Sequence, residues 1–142
     1  MRILIVEDME VATQIKTSLE NEGHEVDSIP CPIAAPDFKD ENPEYDCLIV
    51  DLHMPPDGLT VEQLHDTRGA MLTGWVWLQN YVFPFRPELV NHTIIYSAYL
   101  NVLEEENPPG LDLILAKNRI RKLGVGSSIE KLLKRVQEFE QP

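Results

Sequence analysis

Short apolar runs alternate with amphipathic stretches along this chain, and this alternation most limits the folds that it can adopt. The runs are Ile3–Val6, 46–52 (DCLIVDL), Asn91–Tyr96 and Leu111–Ala116, with a weaker one at His24–Ile29. Each run has the length of a β-strand. Strands that are apolar on both faces are typical of a parallel sheet that helices cover on both sides.

Helical patterns lie between these runs. At residues 9–22, Val11, Ile15 and Leu19 recur every four positions, which predicts an amphipathic helix that Gly23 ends. Further helices are predicted at Gly74–Val82, at Leu100–Glu106 and after a cap at Ser127 or Ser128, with a short one at 59–73 that Gly69 interrupts. Five strands alternating with helices predict an α/β fold, with a doubly wound five-stranded parallel sheet.

Composition narrows the classes of function. The 142 residues predict a single domain that spans residues 1–142. A net charge of −12 disfavours direct binding of nucleic acid or of anionic membranes. The two cysteines, Cys31 and Cys47, lack a metal-binding spacing, so a reduced, cytoplasmic compartment is predicted. The first apolar run is too short for a signal peptide or a membrane span.

Polar side chains follow four of the predicted strands at their carboxyl ends, where open α/β sheets bind ligands. They are Glu7 and Asp8 after the first strand, Asp51 at the end of the third, Ser97 after the fourth and Lys117 after the fifth. Three carboxylates at one edge repel each other unless a cation joins them, and such oxygen ligands suit Mg²⁺. A lysine and a hydroxyl group can contact phosphoryl oxygens. The set predicts a phosphoryl-transfer site in which a carboxylate is the nucleophile.

The segments ILIVED, LIVDLHMP, YSAYL and ILAK occur in the order in which response regulator receiver domains carry similar segments. The chain resembles this family, whose fold is flavodoxin-like, over nearly its whole length. The resemblance implies a phosphoacceptor at Asp51, contacts to the phosphoryl group from Ser97 and Lys117, and a Mg²⁺ site of Glu7, Asp8, Asp51 and the backbone carbonyl of His53.

The resemblance also implies a role in two-component signalling. Such a domain catalyses its own phosphorylation and dephosphorylation, and its expected partner is a sensor histidine kinase or a phosphotransfer protein. Many receivers form homodimers through the fourth helix, fifth strand and fifth helix. Here that face would be built around residues 100–136, with Arg119, Arg121 and Lys122.

Three features depart from the family pattern. The usual Lys-Pro dipeptide is Lys117-Asn118, and Ile114 stands where an aromatic residue is common. A cis bond before a residue other than proline costs about 3–4 kcal/mol, so the loop after Lys117 is expected to be trans. An insertion near residues 56–72 follows the third strand. The alternative is therefore a pseudo-receiver, an interaction module that works without phosphorylation.

Two tryptophans lie on one predicted helix. Trp75 and Trp77 are two residues apart, so they face different sides of that helix. One is expected in the core. For the other, the pattern leaves open whether it lies in the core or on an exposed contact surface.

Overall fold

A computed structural model describes residues 1–40, 44–107, 120–124 and 129–140, with the backbone alone for 120–124. Its strands are β1 (Arg2–Val6), β2 (Glu25–Ile29), β3 (Cys47–Val50), β4 (Thr93–Ser97) and β5 (Ile120–Gly124). Neighbouring strands are all parallel, in the order β2-β1-β3-β4-β5. This confirms the predicted five-stranded parallel α/β fold.

The helices pack on both faces of the sheet. They are α1 (Met9–Asn21), α2 (Val61–Asp66), α3 (Thr73–Trp77), α4 (Leu100–Glu106) and α5 (Ile129–Glu140), while Leu78–Val82 continues α3 as a π-helical turn and Pro32–Ala34 and Pro87–His92 are 3₁₀-helical. Strand β1 has apolar side chains on both faces of the sheet. Ile3 and Ile5 pack with α1 and α5 on one face. Leu4 and Val6 lie in the core on the other face, which α3 and α4 cover. In the described part of the chain, no helix is long and apolar enough to cross a membrane.

The fifth strand is formed by residues other than those predicted. The predicted run, Leu111–Ala116, lies outside the described residues, and so do Lys117, Ile114, Asn118, Arg119, Ser127 and Ser128. The strand that pairs with β4 is Ile120–Gly124, so Lys117 precedes it in the chain. Its sequence, IRKLG, is less apolar than LDLILA, and charged residues are common on strands at the end of a sheet.

Both tryptophans are buried. Trp75 is 1% exposed and Trp77 is 3% exposed. The ring of Trp77 meets Phe38 of the β2–β3 loop edge-on, with 5.9 Å between centroids. The loop thus covers the side of α3 that the sequence pattern left open.

The insertion near residues 56–72 contains α2, which a capping box between Thr60 and Gln63 begins and in which no residue is buried. A hydrogen bond and an ion pair help to attach it to the rest of the fold. The Tyr81 hydroxyl donates to Gln63 Oε1 at 2.7 Å. Arg68 Nε lies 2.9 Å from Glu106 Oε2 at the end of α4. The predicted longer helix ends early because a left-handed turn follows Asp66.

We expect Ala70→Gly to stabilise the protein. Ala70 has a φ of 70°, in the left-handed region where an L side chain costs about 1–2 kcal/mol. Glycine removes this strain but gains freedom in the unfolded chain, so the net gain is about 0.5–1 kcal/mol. Urea unfolding measures it. The control, Ala34→Gly, lies outside the left-handed region and should lose stability; equal losses in both variants would contradict the expectation.

Candidate functional site

The candidate site lies where the chain reverses direction across the sheet. From β1 the chain passes to β2 on one side, whereas β3 lies on the other side of β1. Such switch points leave a crevice at the carboxyl ends of the strands. Val6 pairs with Val50, and the Asp51 backbone N–H donates to the Val6 carbonyl at 2.8 Å. Glu7 and Asp51 therefore follow adjacent strands at the same level.

The carboxyl groups of Glu7 and Asp51 lie close enough to interact through both charge and hydrogen bonding. Glu7 is 4% exposed. Burial, followed by the charge and the hydrogen bond of Asp51, raises the pKa of Glu7 to about 9. At neutral pH the pair therefore holds a proton that a bound cation would replace.

Asp8, the acid that directly follows Glu7 in the sequence, has a different position from Glu7. Its side chain is exposed and caps α1, where Oδ1 accepts from the backbone N–H of Glu10 at 3.1 Å and of Val11 at 3.3 Å. Asp, Ser, Thr and Asn are favoured at this position because they satisfy free N–H groups of the first turn. The structure thus separates two adjacent acids into a buried partner of Asp51 and a helix cap.

The predicted three-carboxylate cluster is not formed as such. Within the described residues, no three His, Cys, Asp or Glu side chains form a group that could hold a metal. Mg²⁺ usually takes only one or two carboxylates and completes its shell with water and phosphate oxygens. The Glu7–Asp51 pair fits that smaller requirement.

Asp51 is oriented by its own strand end and remains open to solvent. Its Oδ1 accepts from the Leu52 backbone N–H at 2.7 Å. The residue is only partly buried, so a reactant can approach the carboxylate. Its neighbour His53 is exposed.

Gly74, at the start of α3, contacts the backbone of Asp51 and was not among the predicted site residues. A Cβ at Gly74 would lie 2.0 Å from the Asp51 carbonyl oxygen. The Gly74 backbone N–H donates to the Leu52 carbonyl at 3.0 Å. Only glycine allows the helix to come this close, so Gly74 positions the segment that carries Asp51. The one signal in the sequence is a glycine at the first turn of a predicted helix.

Ser97 is 1% exposed at the end of β4, and its Oγ accepts from the Tyr99 backbone N–H at 3.1 Å. The Tyr99 ring lies against the His53 ring, with 5.0 Å between centroids and 32° between planes. This contact joins the loop after Ser97 to the loop after Asp51. The position of Lys117 is outside the described residues, so its part in the site stays a prediction.

Solved structures of receiver domains match this chain over nearly its whole length. The receiver domain of the Francisella response regulator 1452 is 24% identical with a TM-score of 0.63, covering 97% of this chain and 94% of that one. The non-phosphorylated HemR receiver domain of Leptospira biflexa is 19% identical with a TM-score of 0.65, covering 99% and 94%. This chain has the receiver-domain fold.

A third receiver-fold structure is that of the response regulator TrrA from Thermotoga maritima, solved in complex with Mg²⁺-BeF. It is 20% identical with a TM-score of 0.62, covering 97% of both chains. The sequence matches no family model and no curated protein. Because these solved structures are less than 25% identical to this chain, they establish its fold alone. They confirm the predicted resemblance to receiver domains as far as the fold is concerned.

Proposed function

We propose that this receiver-fold domain, spanning residues 1–142, accepts a phosphoryl group on Asp51 in two-component signalling. The observation that carries the proposal is the buried Glu7–Asp51 pair at the sheet's switch point. Buried like charges are costly unless a proton or a cation joins them. A buried carboxyl group at Glu7 beside the partly exposed carboxylate of Asp51 suits a cation-assisted site better than a structural one.

The reaction needs only a carboxylate nucleophile in the right place. An Asp51 carboxylate oxygen attacks the phosphorus of an acyl phosphate or a phosphohistidine. The bond from phosphorus to the leaving oxygen or nitrogen breaks, and the leaving group takes the electron pair. The product is an aspartyl phosphate, which water later hydrolyses to phosphate and the free Asp51 carboxylate.

Glu7 and Asp51 would hold Mg²⁺, with Asp8 and the His53 carbonyl as further proposed ligands. The metal would neutralise charge on the phosphoryl oxygens. The Ser97 hydroxyl would donate to a phosphoryl oxygen after turning from its present backbone contact, and Lys117 would supply a positive charge.

The proposed phosphoryl source is a sensor histidine kinase or a phosphotransfer protein in the cytoplasm. The charge of −12 supports a protein partner over nucleic acid or anionic lipid. A homodimer through residues 100–136 remains part of the proposal. In that range Arg121 and Lys122 lie on β5, the end strand of the sheet.

Asp51→Asn is expected to abolish phosphoryl uptake. Incubation of the wild type with acetyl phosphate and Mg²⁺ should add the mass of one phosphoryl group, and beryllofluoride should bind in its place. The matched control is Asp57→Asn, an exposed acid in the same loop, and it should react like the wild type. An adduct on Asp51→Asn equal to that on the wild type, or none on the wild type, would refute the proposal.

The second candidate is a pseudo-receiver that binds partners without phosphorylation. Two observations favour it: the departures at Ile114 and Lys117-Asn118, and the helix-capping role of Asp8. Isothermal titration with Mg²⁺ separates the two functions. A pseudo-receiver would bind no Mg²⁺, and its affinity for partners would be the same in Asp51→Asn.

A further inference from the structure

A cavity of about 230 Å³ lies apart from the carboxylate pair, between three segments of the chain. The β2–β3 loop contributes Pro32 and Phe38, and the insertion contributes Leu59. Helix α3 and its π-helical continuation contribute Trp77 and Tyr81, and the turn that follows contributes Phe85. Neither Glu7, Asp51 nor Ser97 lines it. Most of the residues that line it are aromatic or aliphatic, and Asp37 and Lys39 add charged groups, a combination that is typical of binding pockets.

The size of the cavity limits what can enter it. A cavity of about 150 Å³ already accommodates benzene. Sites for whole drug-sized ligands or cofactors usually measure about 300–1,000 Å³. At about 230 Å³ this cavity suits one bulky side chain rather than a nucleotide or a cofactor.

Exposed apolar side chains lie on the segments that form the cavity. Ile33 is 65% exposed and Phe85 is 39% exposed. Helix α2 is attached beside the cavity by the Tyr81–Gln63 hydrogen bond, and its Val61 is 83% exposed. Clustered exposed apolar side chains of this kind mark interaction surfaces.

The charges beside the cavity favour a basic partner. The acidic residues on the segments 32–40, 57–64 and 77–86 are Asp37, Asp40, Asp57 and Glu62, all exposed. Of the two basic residues there, Arg86 donates to the backbone carbonyls of Phe38 and Asp40, so it holds the loop. Lys39 lies over the Phe85 ring at 5.3 Å. The surface is thus acidic overall, in keeping with the charge of −12.

We propose that this cavity docks a segment of a partner protein that inserts one bulky apolar side chain and carries Lys or Arg on both sides of it. The cavity supplies the apolar contact, and the surrounding acids supply charge complementarity. The proposal does not depend on phosphorylation of Asp51.

Short synthetic peptides test it. One set has Lys and Arg flanking a central Trp, Leu or Ala, and a further peptide has Glu flanking Trp. In ¹H–¹⁵N NMR titrations, the basic Trp and Leu peptides should shift the Trp77 indole and Tyr81 amide signals saturably. The basic Ala peptide and the Glu-flanked peptide should bind about tenfold more weakly or worse.

Substitutions at and away from the cavity test where the peptide binds. Ile33→Ser and Phe85→Ser should each weaken binding of the Trp peptide about tenfold, because each removes an exposed apolar side chain at or next to the cavity without changing the charge. Met9→Ser is the control, since Met9 is 59% exposed on α1 and does not line the cavity. Asp51→Asn should bind like the wild type, which separates this site from the phosphoacceptor.

Four outcomes would overturn the proposal. If no peptide causes a saturable shift at Trp77, the cavity does not bind a segment of this kind. Equal binding of the Ala and Trp peptides would show that no bulky side chain inserts into the cavity. Equal binding of the peptides with Glu flanks and with basic flanks would show that charge does not contribute to binding. Concentration-dependent shifts at Trp77 without peptide would assign the surface to a second copy of the chain.

Discussion

Glu7→Gln is expected to raise the melting temperature of the metal-free protein above neutral pH and to remove its stabilisation by Mg²⁺. Glutamine keeps the shape of the side chain and its hydrogen-bonding capacity towards Asp51. It also removes a carboxylate that is buried beside a second one, which is costly when ionised. A single substitution at a proposed metal ligand should therefore stabilise the fold while it abolishes the function.

The pH dependence has a definite sign. The pKa of Glu7 is raised from its ordinary value of 4.5 to about 9 in the folded protein. Between these values the folded state holds a proton that the unfolded state has lost, so the Glu7 contribution to stability falls as pH rises and is fully lost above about 9. The advantage of Glu7→Gln should therefore grow with pH. In the wild type, Mg²⁺ binding should strengthen over the same range because the proton competes with the metal.

Differential scanning fluorimetry with and without Mg²⁺, across this pH range, measures the effect, and calorimetric titration gives the affinity. Loss of Mg²⁺ affinity should be about 100-fold or more, since even groups that only support metal ligands matter by about 10–100-fold. Glu10→Gln is the control, because Glu10 is an exposed acid three residues away. A Glu7→Gln protein that is less stable at high pH, or that binds Mg²⁺ like the wild type, would contradict the expectation.

Gly74→Ala is expected to have the largest effect on the fold and, with it, to abolish the phosphoryl uptake proposed for Asp51. The added methyl would lie 2.0 Å from the Asp51 carbonyl oxygen and 3.0 Å from Val50 Cγ1. The first of these is backbone in the sheet and cannot move aside as a flexible side chain would. Helix α3 must shift away, which costs about 2–3 kcal/mol or more. The acceptor loop, held by the Gly74–Leu52 hydrogen bond, should shift with it.

Urea unfolding and the acetyl phosphate reaction test this together. The control is Gly69→Ala: Gly69 has a φ of 70°, and an added Cβ there would meet nothing within 4 Å. That variant should lose about 1 kcal/mol from backbone strain and keep full phosphoryl uptake. If Gly74→Ala is no less stable than Gly69→Ala and reacts at the wild-type rate, the contact does not position Asp51.

Much of the architecture could be predicted because local patterns of apolar residues indicate most of the strands and helices. Apolar runs such as Ile3–Val6 and Cys47–Val50 are buried, so these strands and their alternation with helices follow from spacing alone, whereas the order of the strands in the sheet does not. The fifth strand is the exception, since IRKLG pairs with β4 although its composition is not that of a buried strand.

The sequence by itself determined that carboxylates would meet at one edge of a parallel sheet, because parallel strands all end there. Only the tertiary structure decided that the buried Glu7 pairs with Asp51, since the two residues follow different strands and lie far apart in the chain. It also decided that Gly74 contacts Asp51 and that the β2–β3 loop covers Trp77. These contacts join residues far apart in the chain, and their energies depend on packing that no local periodicity records.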